Sequence, residues 1–193
     1  MILICLTSAN GSGGEPDSSQ LDHWLLGIAG KDSQALADLY DCTSASVYAF
    51  ALSVLKNTQD AEDILHDCYL RIWSAAPGYH SSGKPMAWIL TITRNLCLLK
   101  IRERSRISDI PSEDWESYLH VCENASPEDK LMITECMKLL SDQERQILVL
   151  HAVAGFKHRE TAKLLALPLP TVLSKYNRAL KKLKNHMEKE YER

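Results

Sequence analysis

The sequence of 193 residues predicts an all-α chain of two small helical domains, the C-terminal one a helix-turn-helix. Three observations predict it: apolar residues recur at helical spacing, caps and breakers punctuate those runs, and charge alternates in blocks. The domains are expected at residues 20–106 and 130–193, joined by an acidic linker over 107–129. Residues 1–19, rich in Ser and Gly, are expected to be a disordered lead-in. Residues 15–70 carry ten acidic and two basic side chains, 71–106 one and seven, 107–155 ten and three, and 156–193 four and ten. The block charges of −8, +6, −7 and +6 hide inside an overall −3. Two basic segments suit phosphates, and two acidic ones suit a basic protein partner.

In the first domain, Leu21, Trp24, Leu25 and Ile28 predict one short helix. Ala35, Leu36, Leu39 and Tyr40 predict a second, and residues 47–55 a third. Asn57-Thr58-Gln59-Asp60 breaks the chain and caps the next helix, whose Ala61, Ile64, Leu65, Cys68, Tyr69 and Ile72 follow the i, i+3, i+4, i+7 pattern inward. Its outward side sets Glu62, Asp63, Asp67 and Arg71 beside Leu70 and Trp73. That is either solvated surface with Trp73 tucked under the next loop, or a docking stripe, since aromatic anchors ringed by polar groups mark interfaces.

Residues 76–85 read as a loop of turn formers holding Tyr79, His80, Ser81, Ser82 and Lys84. Pro85 opens the next helix, expected over 86–104 with Trp88, Ile92, Leu96 and Leu99 inward. Arg94, Asn95, Lys100, Arg102 and Arg104 would face outward. An aromatic-bearing polar loop feeding a basic helix fits a grip on unstacked single-stranded bases; it also fits a plain connector.

In the second domain, Ser141-Asp142-Gln143-Glu144 forms a capping box: the Ser141 side chain accepts from the backbone three residues on, while Glu144 reaches back. Ile147, Leu148, His151 and Ala154 share a face, and Gly155 is placed to stop the helix. Residues 157–165 predict a short helix with Ala162 inward. Pro168 and Pro170 bracket a turn, with Pro170 as the first residue of the last helix. There Val172, Tyr176, Ala179, Leu180, Leu183 and Met187 form one apolar stripe. Thr171, Ser174, Lys175, Asn177, Arg178, Lys181 and Lys182 fall mainly on the other faces. In a helix-turn-helix, Thr171, Ser174, Lys175 and Arg178 would meet base edges in the major groove. An amphipathic helix with a solvated basic face gives the same pattern, and the charge blocks favour DNA.

Six cysteines, at 5, 42, 68, 97, 122 and 136, form no CxxC; they read as reduced, mostly buried residues. Residues 1–6 are too short for a signal core or a membrane span. A cytoplasmic protein without membrane insertion is expected. No Walker loop, HExxH or GxSxG is present, so no catalytic site, metal or cofactor is expected.

Four segments carry a resemblance. Asp60-Ala61-Glu62-Asp63-Ile64-Leu65-His66-Asp67-Cys68-Tyr69-Leu70-Arg71-Ile72-Trp73 and Pro85-Met86-Ala87-Trp88-Ile89-Leu90-Thr91-Ile92-Thr93-Arg94-Asn95-Leu96 resemble segments of bacterial sigma factors of the extracytoplasmic-function class. Leu140-Ser141-Asp142-Gln143-Glu144-Arg145 and Leu167-Pro168-Leu169-Pro170-Thr171-Val172-Leu173-Ser174-Lys175 resemble two further signatures of the same sigma-70 family, in the same order. The resemblance implies that residues 20–106 bind the promoter's minus-10 element. Asp63, Asp67, Leu70 and Trp73 would dock the clamp helices of RNA polymerase's largest subunit. Tyr79, His80, Ser81, Ser82, Lys84, Arg94 and Asn95 would hold the melted strand. Residues 130–187 would read the minus-35 element through Thr171, Ser174, Lys175, Asn177, Arg178 and Lys181, beside the polymerase flap. Core polymerase, promoter DNA and an anti-sigma factor are the implied partners. Pro170 stands where the family usually has Gly, Leu173 where it has Lys, Lys157-His158 where Ser-Tyr is common, and Thr161 where it has an aliphatic. The same residues also fit a polymerase-independent helix-turn-helix regulator, which would bind duplex DNA as a dimer at paired half-sites.

Overall fold

The computed structural model describes residues 17–107 and 127–191. The expected lead-in through residue 16 and the acidic linker over 108–126 lie outside the described residues. Every described element is helical, and the two described stretches fall into separate compact units.

The N-terminal unit is built from α1 (Ser18–Ala29), α2 (Ser33–Leu55), α3 (Thr58–Ala75), a 3-10 turn (Ala76–Gly78) and α4 (Pro85–Ile107). Helix α1 begins at Ser18, inside the expected lead-in, and buries Leu21, Leu25 and Ile28. It meets α2 closely at Gly27, where a Cβ would lie 3.0 Å from the Ala35 Cβ. Asp32 caps α2 by accepting from the Gln34 and Ala35 amides, satisfying two of the donors a helix start leaves open.

The second and third expected helices are one. Thr43-Ser44-Ala45-Ser46 looks like a weak point because short hydroxyl side chains compete with the backbone for hydrogen bonds. Here Thr43 is buried, donates to the Leu39 carbonyl at 2.6 Å and accepts from Tyr69. Its competing oxygen is thus used without breaking the helix, which also buries Val47, Phe50, Ala51 and Leu52 against α3 and α4.

Asn57 caps α3 through the Asp60 amide, and all six expected inward residues of α3 are buried. Helix α4 is rotated from the expected face. Ile89, Leu90, Thr93 and Cys97 are buried, Trp88, Ile92 and Leu96 only partly, and Leu99 is 52% exposed. Thr93 explains the shift: it donates to the Ile89 carbonyl and meets the Cys68 thiol at 3.3 Å, so a polar residue occupies the seam with α3.

The C-terminal unit holds α5 (Pro127–Lys138), α6 (Asp142–Ala152), α7 (His158–Leu165) and α8 (Leu169–Tyr191). Helix α5, unassigned from the sequence pattern, starts within the span given to the linker. The Ser141 capping box is present. Helix α6 ends at Ala152 with Val153 as its cap, and Gly155 follows at φ +65 in the turn rather than closing the helix. Helix α7 stops where Ala166 turns left-handed, and α8 starts one residue before Pro170.

Burial pushes the Cys68 and Cys136 thiols up to about 11 and Cys97 to about 12. These cysteines stay protonated, as expected for small buried apolar groups. Cys42 departs from that expectation, being exposed.

Candidate nucleic-acid and protein interfaces

Helix α8 is the last element of a helix-turn-helix, and its position is set by what it buries. Val172, Ala179 and Leu183 are buried against α6 and α7. On the opposite face Ser174, Asn177, Arg178 and Lys181 are exposed, with Thr171 and Lys175 half-buried at its edges. Leu173 lies exposed at 39% within that face.

Lys182 does not join this face. Its Nζ donates to Glu144 Oε2 at 2.7 Å and to the Leu139 carbonyl at 3.3 Å, tying α8 to the start of α6. Glu144 is 2% exposed and also accepts from the Ser141 amide at 2.9 Å. Burial pulls its carboxyl up, but the Lys182 ammonium and the Ser141 amide and hydroxyl outweigh that and hold it below the usual carboxylate range.

His151 of α6, His158 of α7 and Tyr176 of α8 form an aromatic cluster. The imidazoles stack with centroids 4.6 Å apart, and Tyr176 lies 4.9 and 4.7 Å from them. His151 Nδ1 is 2.8 Å from the Phe156 carbonyl; a carbonyl only accepts, so Nδ1 carries the proton. Burial and then the neighbouring His151 hold the His158 pKa below its ordinary value.

Thr161, the departure from an aliphatic noted in the sequence, is fully buried, and its hydroxyl has no hydrogen-bond partner among the described residues. A buried unpaired hydroxyl costs more than a methyl in its place. Thr161→Val is therefore expected to stabilise the protein by about 1 kcal/mol. Denaturant unfolding of the full chain checks this, and a loss of stability would contradict it.

In the N-terminal unit, Asp63, Asp67, Leu70 and Trp73 lie along one stripe of α3, but they are not equally available. Leu70 is 69% exposed and Asp67 is exposed. Asp63 pairs with Lys100 at 3.0 Å. Trp73 is half-buried, with the ammonium of Lys31, from the α1–α2 turn, 4.9 Å from the ring centroid. Lys100 and Arg104, expected to face outward, also pair with Asp60, which is buried. Of the other residues expected to face outward on α4, Asn95 and Arg102 are exposed and Arg94 is half-buried.

The loop after α3 contains one correction. Tyr79 is 5% exposed and packs edge-on against Trp88 at 4.9 Å, while its hydroxyl donates to Asp22. Burial, reinforced by that carboxylate, raises its pKa. Its ring is not open to stack on a base. His80, Ser81, Ser82 and Lys84 are exposed. Among the described residues no cluster of three metal-ligating side chains occurs, and no helix is long and apolar enough to cross a membrane.

Comparison with known proteins places these units in a family. Sigma-70 region 2 matches residues 39–107 and Sigma-70, region 4 matches residues 130–183. The chain is 30% identical over 182 residues to the ECF RNA polymerase sigma factor SigK of Mycobacterium tuberculosis (strain ATCC 25618 / H37Rv), an alignment spanning 89% of this chain and 95% of that protein. It is 28% identical over 175 residues to SigK of Mycobacterium sp. (strain KMS), with 87% and 91% covered. Among solved structures it is similar to CnrH in complex with the cytosolic domain of CnrY, at TM-score 0.58 and 19% identity over 89% of this chain and 97% of that one. It is also similar to sigma factor RpoE in complex with the anti-sigma factor NepR from Bartonella quintana, at TM-score 0.62 and 20% identity over 79% and 96%. At these identities the structural likeness shows the fold.

Proposed function

Because this chain belongs to the extracytoplasmic-function RNA polymerase sigma factors of the sigma-70 family and directs transcription initiation, we propose that its two units divide that task. The N-terminal unit docks core polymerase through Asp67 and Leu70 of α3, with Asp63 and Trp73 flanking them. Its loop over 79–84 and the Arg94 and Asn95 turn of α4 hold the melted minus-10 strand, while the C-terminal unit reads the minus-35 element with α8 beside the polymerase flap. Family membership displaces the polymerase-independent regulator. The protein has no reaction of its own; it works in the cytoplasm, lending sequence recognition to an enzyme, and binding a flipped base offsets the few kcal/mol of unstacking.

The observation that carries this reading is the two-sided character of α8. One face is consumed by the core, and the other exposes Ser174, Asn177, Arg178 and Lys181, a polar face of the kind a recognition helix offers to the major groove. Arg178→Ala is expected to lower transcription from a promoter with an intact minus-35 element roughly tenfold, the value of one bidentate base contact, with core polymerase affinity unchanged. Equal loss of both would contradict the assignment.

Leu70 is too exposed to hold the fold together, so Leu70→Ala isolates docking. Affinity for core polymerase is expected to fall roughly tenfold or more, as for a hot-spot residue, with the unfolding temperature unchanged. Unaltered affinity by fluorescence titration would remove α3 from the interface. As with RpoE, solved with the anti-sigma factor NepR, an anti-sigma factor is the regulatory partner proposed for this chain.

A further inference from the structure

Between the 3-10 turn and α4 the chain runs Tyr79-His80-Ser81-Ser82-Gly83-Lys84, and its alternate residues are tied to α1. Tyr79 donates its hydroxyl proton to Asp22 Oδ1. Ser81 Oγ donates to Asp22 Oδ2 at 2.7 Å, and Ser18 Oγ donates to the Gly83 carbonyl at 3.1 Å. One carboxylate thus receives two hydroxyls from residues two apart, which its pair of acceptor oxygens allows. Tyr79 is extended, at φ −74 and ψ 133, and in extended chain successive side chains point to opposite sides. With Tyr79, the Ser81 hydroxyl and the Gly83 carbonyl tied to α1, His80 and Ser82 between these anchors are exposed. Gly83, at φ +69, supplies the left-handed residue that turns the chain back toward Pro85.

We infer that Asp22 is a positioning residue for promoter melting: it holds the loop over 79–84 in the form that presents His80 and Ser82 to the non-template strand. The inference rests on the strand-binding role proposed above for this loop. Asp22 and Ser18 precede the segment that matches region 2, which starts at residue 39, so the match itself assigns them nothing. The physical reason for such an anchor is preorganisation. A loop of Ser and Gly released from α1 samples many conformations, and binding the strand would then have to order it.

The test uses holoenzyme assembled from core polymerase and the full chain. It is titrated into a fluorescein-labelled single-stranded DNA carrying the non-template minus-10 element of a promoter that the holoenzyme transcribes. Asp22→Ala, which removes both acceptors, is expected to weaken strand binding about tenfold, and Tyr79→Phe, which removes one bond and keeps the ring on Trp88, about threefold. Asp22→Asn keeps an acceptor for Tyr79 and a polar partner for Ser81, and should recover most of the loss. Core polymerase affinity should not move in any of these variants. Combined with the His80→Ala, Ser82→Ala double substitution, Asp22→Ala should cost less than it does alone, because a loop stripped of its contacts gains nothing from being held. Strand affinity unchanged by Asp22→Ala, while the His80 and Ser82 substitutions weaken it, would overturn the inference alone. A parallel fall in core polymerase affinity would also overturn it, by showing a merely structural role. No effect of the His80 and Ser82 substitutions would overturn the strand-binding reading of the loop and the inference with it.

Discussion

Arg145→Met is expected to destabilise the C-terminal unit by about 3 kcal/mol. Arg145 is 2% exposed although it carries a full charge. Its guanidinium donates to the Leu140 carbonyl at 3.0 Å and the Met137 carbonyl at 3.4 Å, and pairs with Asp142 at 3.4 Å. Those two carbonyls lie at and just beyond the end of α5, where a helix leaves its last acceptors without intrahelical donors. A planar fork with five N–H donors serves both at once. Met fills similar space but removes two charge-assisted bonds, leaving the Met137 carbonyl with the Leu140 amide at 3.3 Å and taking from the buried Leu140 carbonyl the donor it has in Arg145, at a cost of about 1–3 kcal/mol for each bond. A loss of this size lowers the unit's unfolding temperature by roughly 15 °C. Hydrogen exchange reads it locally: amides of Ile147 to Leu150 should lose protection while those of α2 keep theirs. A loss below about 1 kcal/mol would mean that water serves the carbonyls as well as the guanidinium does.

Asp60→Ala is the second. Asp60 is 6% exposed in the first turn of α3, and it pairs with Arg104 and, at 3.5 Å, with Lys100, both on α4. Removing the carboxylate takes this partner from Arg104, while Lys100 keeps Asp63 at 3.0 Å. Since their side chains are 25% and 29% exposed, water recovers part of the cost, and the expected loss is about 2 kcal/mol rather than the larger value of a fully buried pair. Asp63→Ala gives the contrast. Asp63 shares Lys100 but is 55% exposed, so its loss should stay below about 1 kcal/mol and fade as salt screens the pair. Equal effects of the two substitutions would show that burial of Asp60 contributes nothing.

These two side chains mark where the sequence became illegible. Helices were readable because their causes are local: the Ser141 capping box, the Asn57 cap and the Ala61 to Ile72 stripe each depend on residues within three or four positions of one another. The long-range partners left no such trace. Asp60 looked like a cap residue, and its cations lie 40 and 44 positions on. Nothing local marks Arg145 as buried, because its carbonyl acceptors belong to the preceding helix and turn. Tyr79 looked like a stacking platform because an aromatic in a polar loop has no local reason to fold under it, and Asp22 supplies one from 57 residues away. The exposed side of α8 was legible except at Thr171 and Lys175, half-buried at its edges, and at Lys182, whose partner Glu144 was already assigned to a cap. An exposed charge can be read from its own helix, whereas a spent one requires knowing the neighbour.

The central claim, that this chain gives core RNA polymerase its promoter specificity, is tested most directly by mixing the purified protein with core polymerase and following the mixture by size-exclusion chromatography and promoter-dependent transcription. The account predicts co-elution and specific initiation by the complex, with little duplex binding by the chain alone. Separate elution, with the chain binding duplex DNA tightly as a dimer and polymerase unaffected, would contradict it.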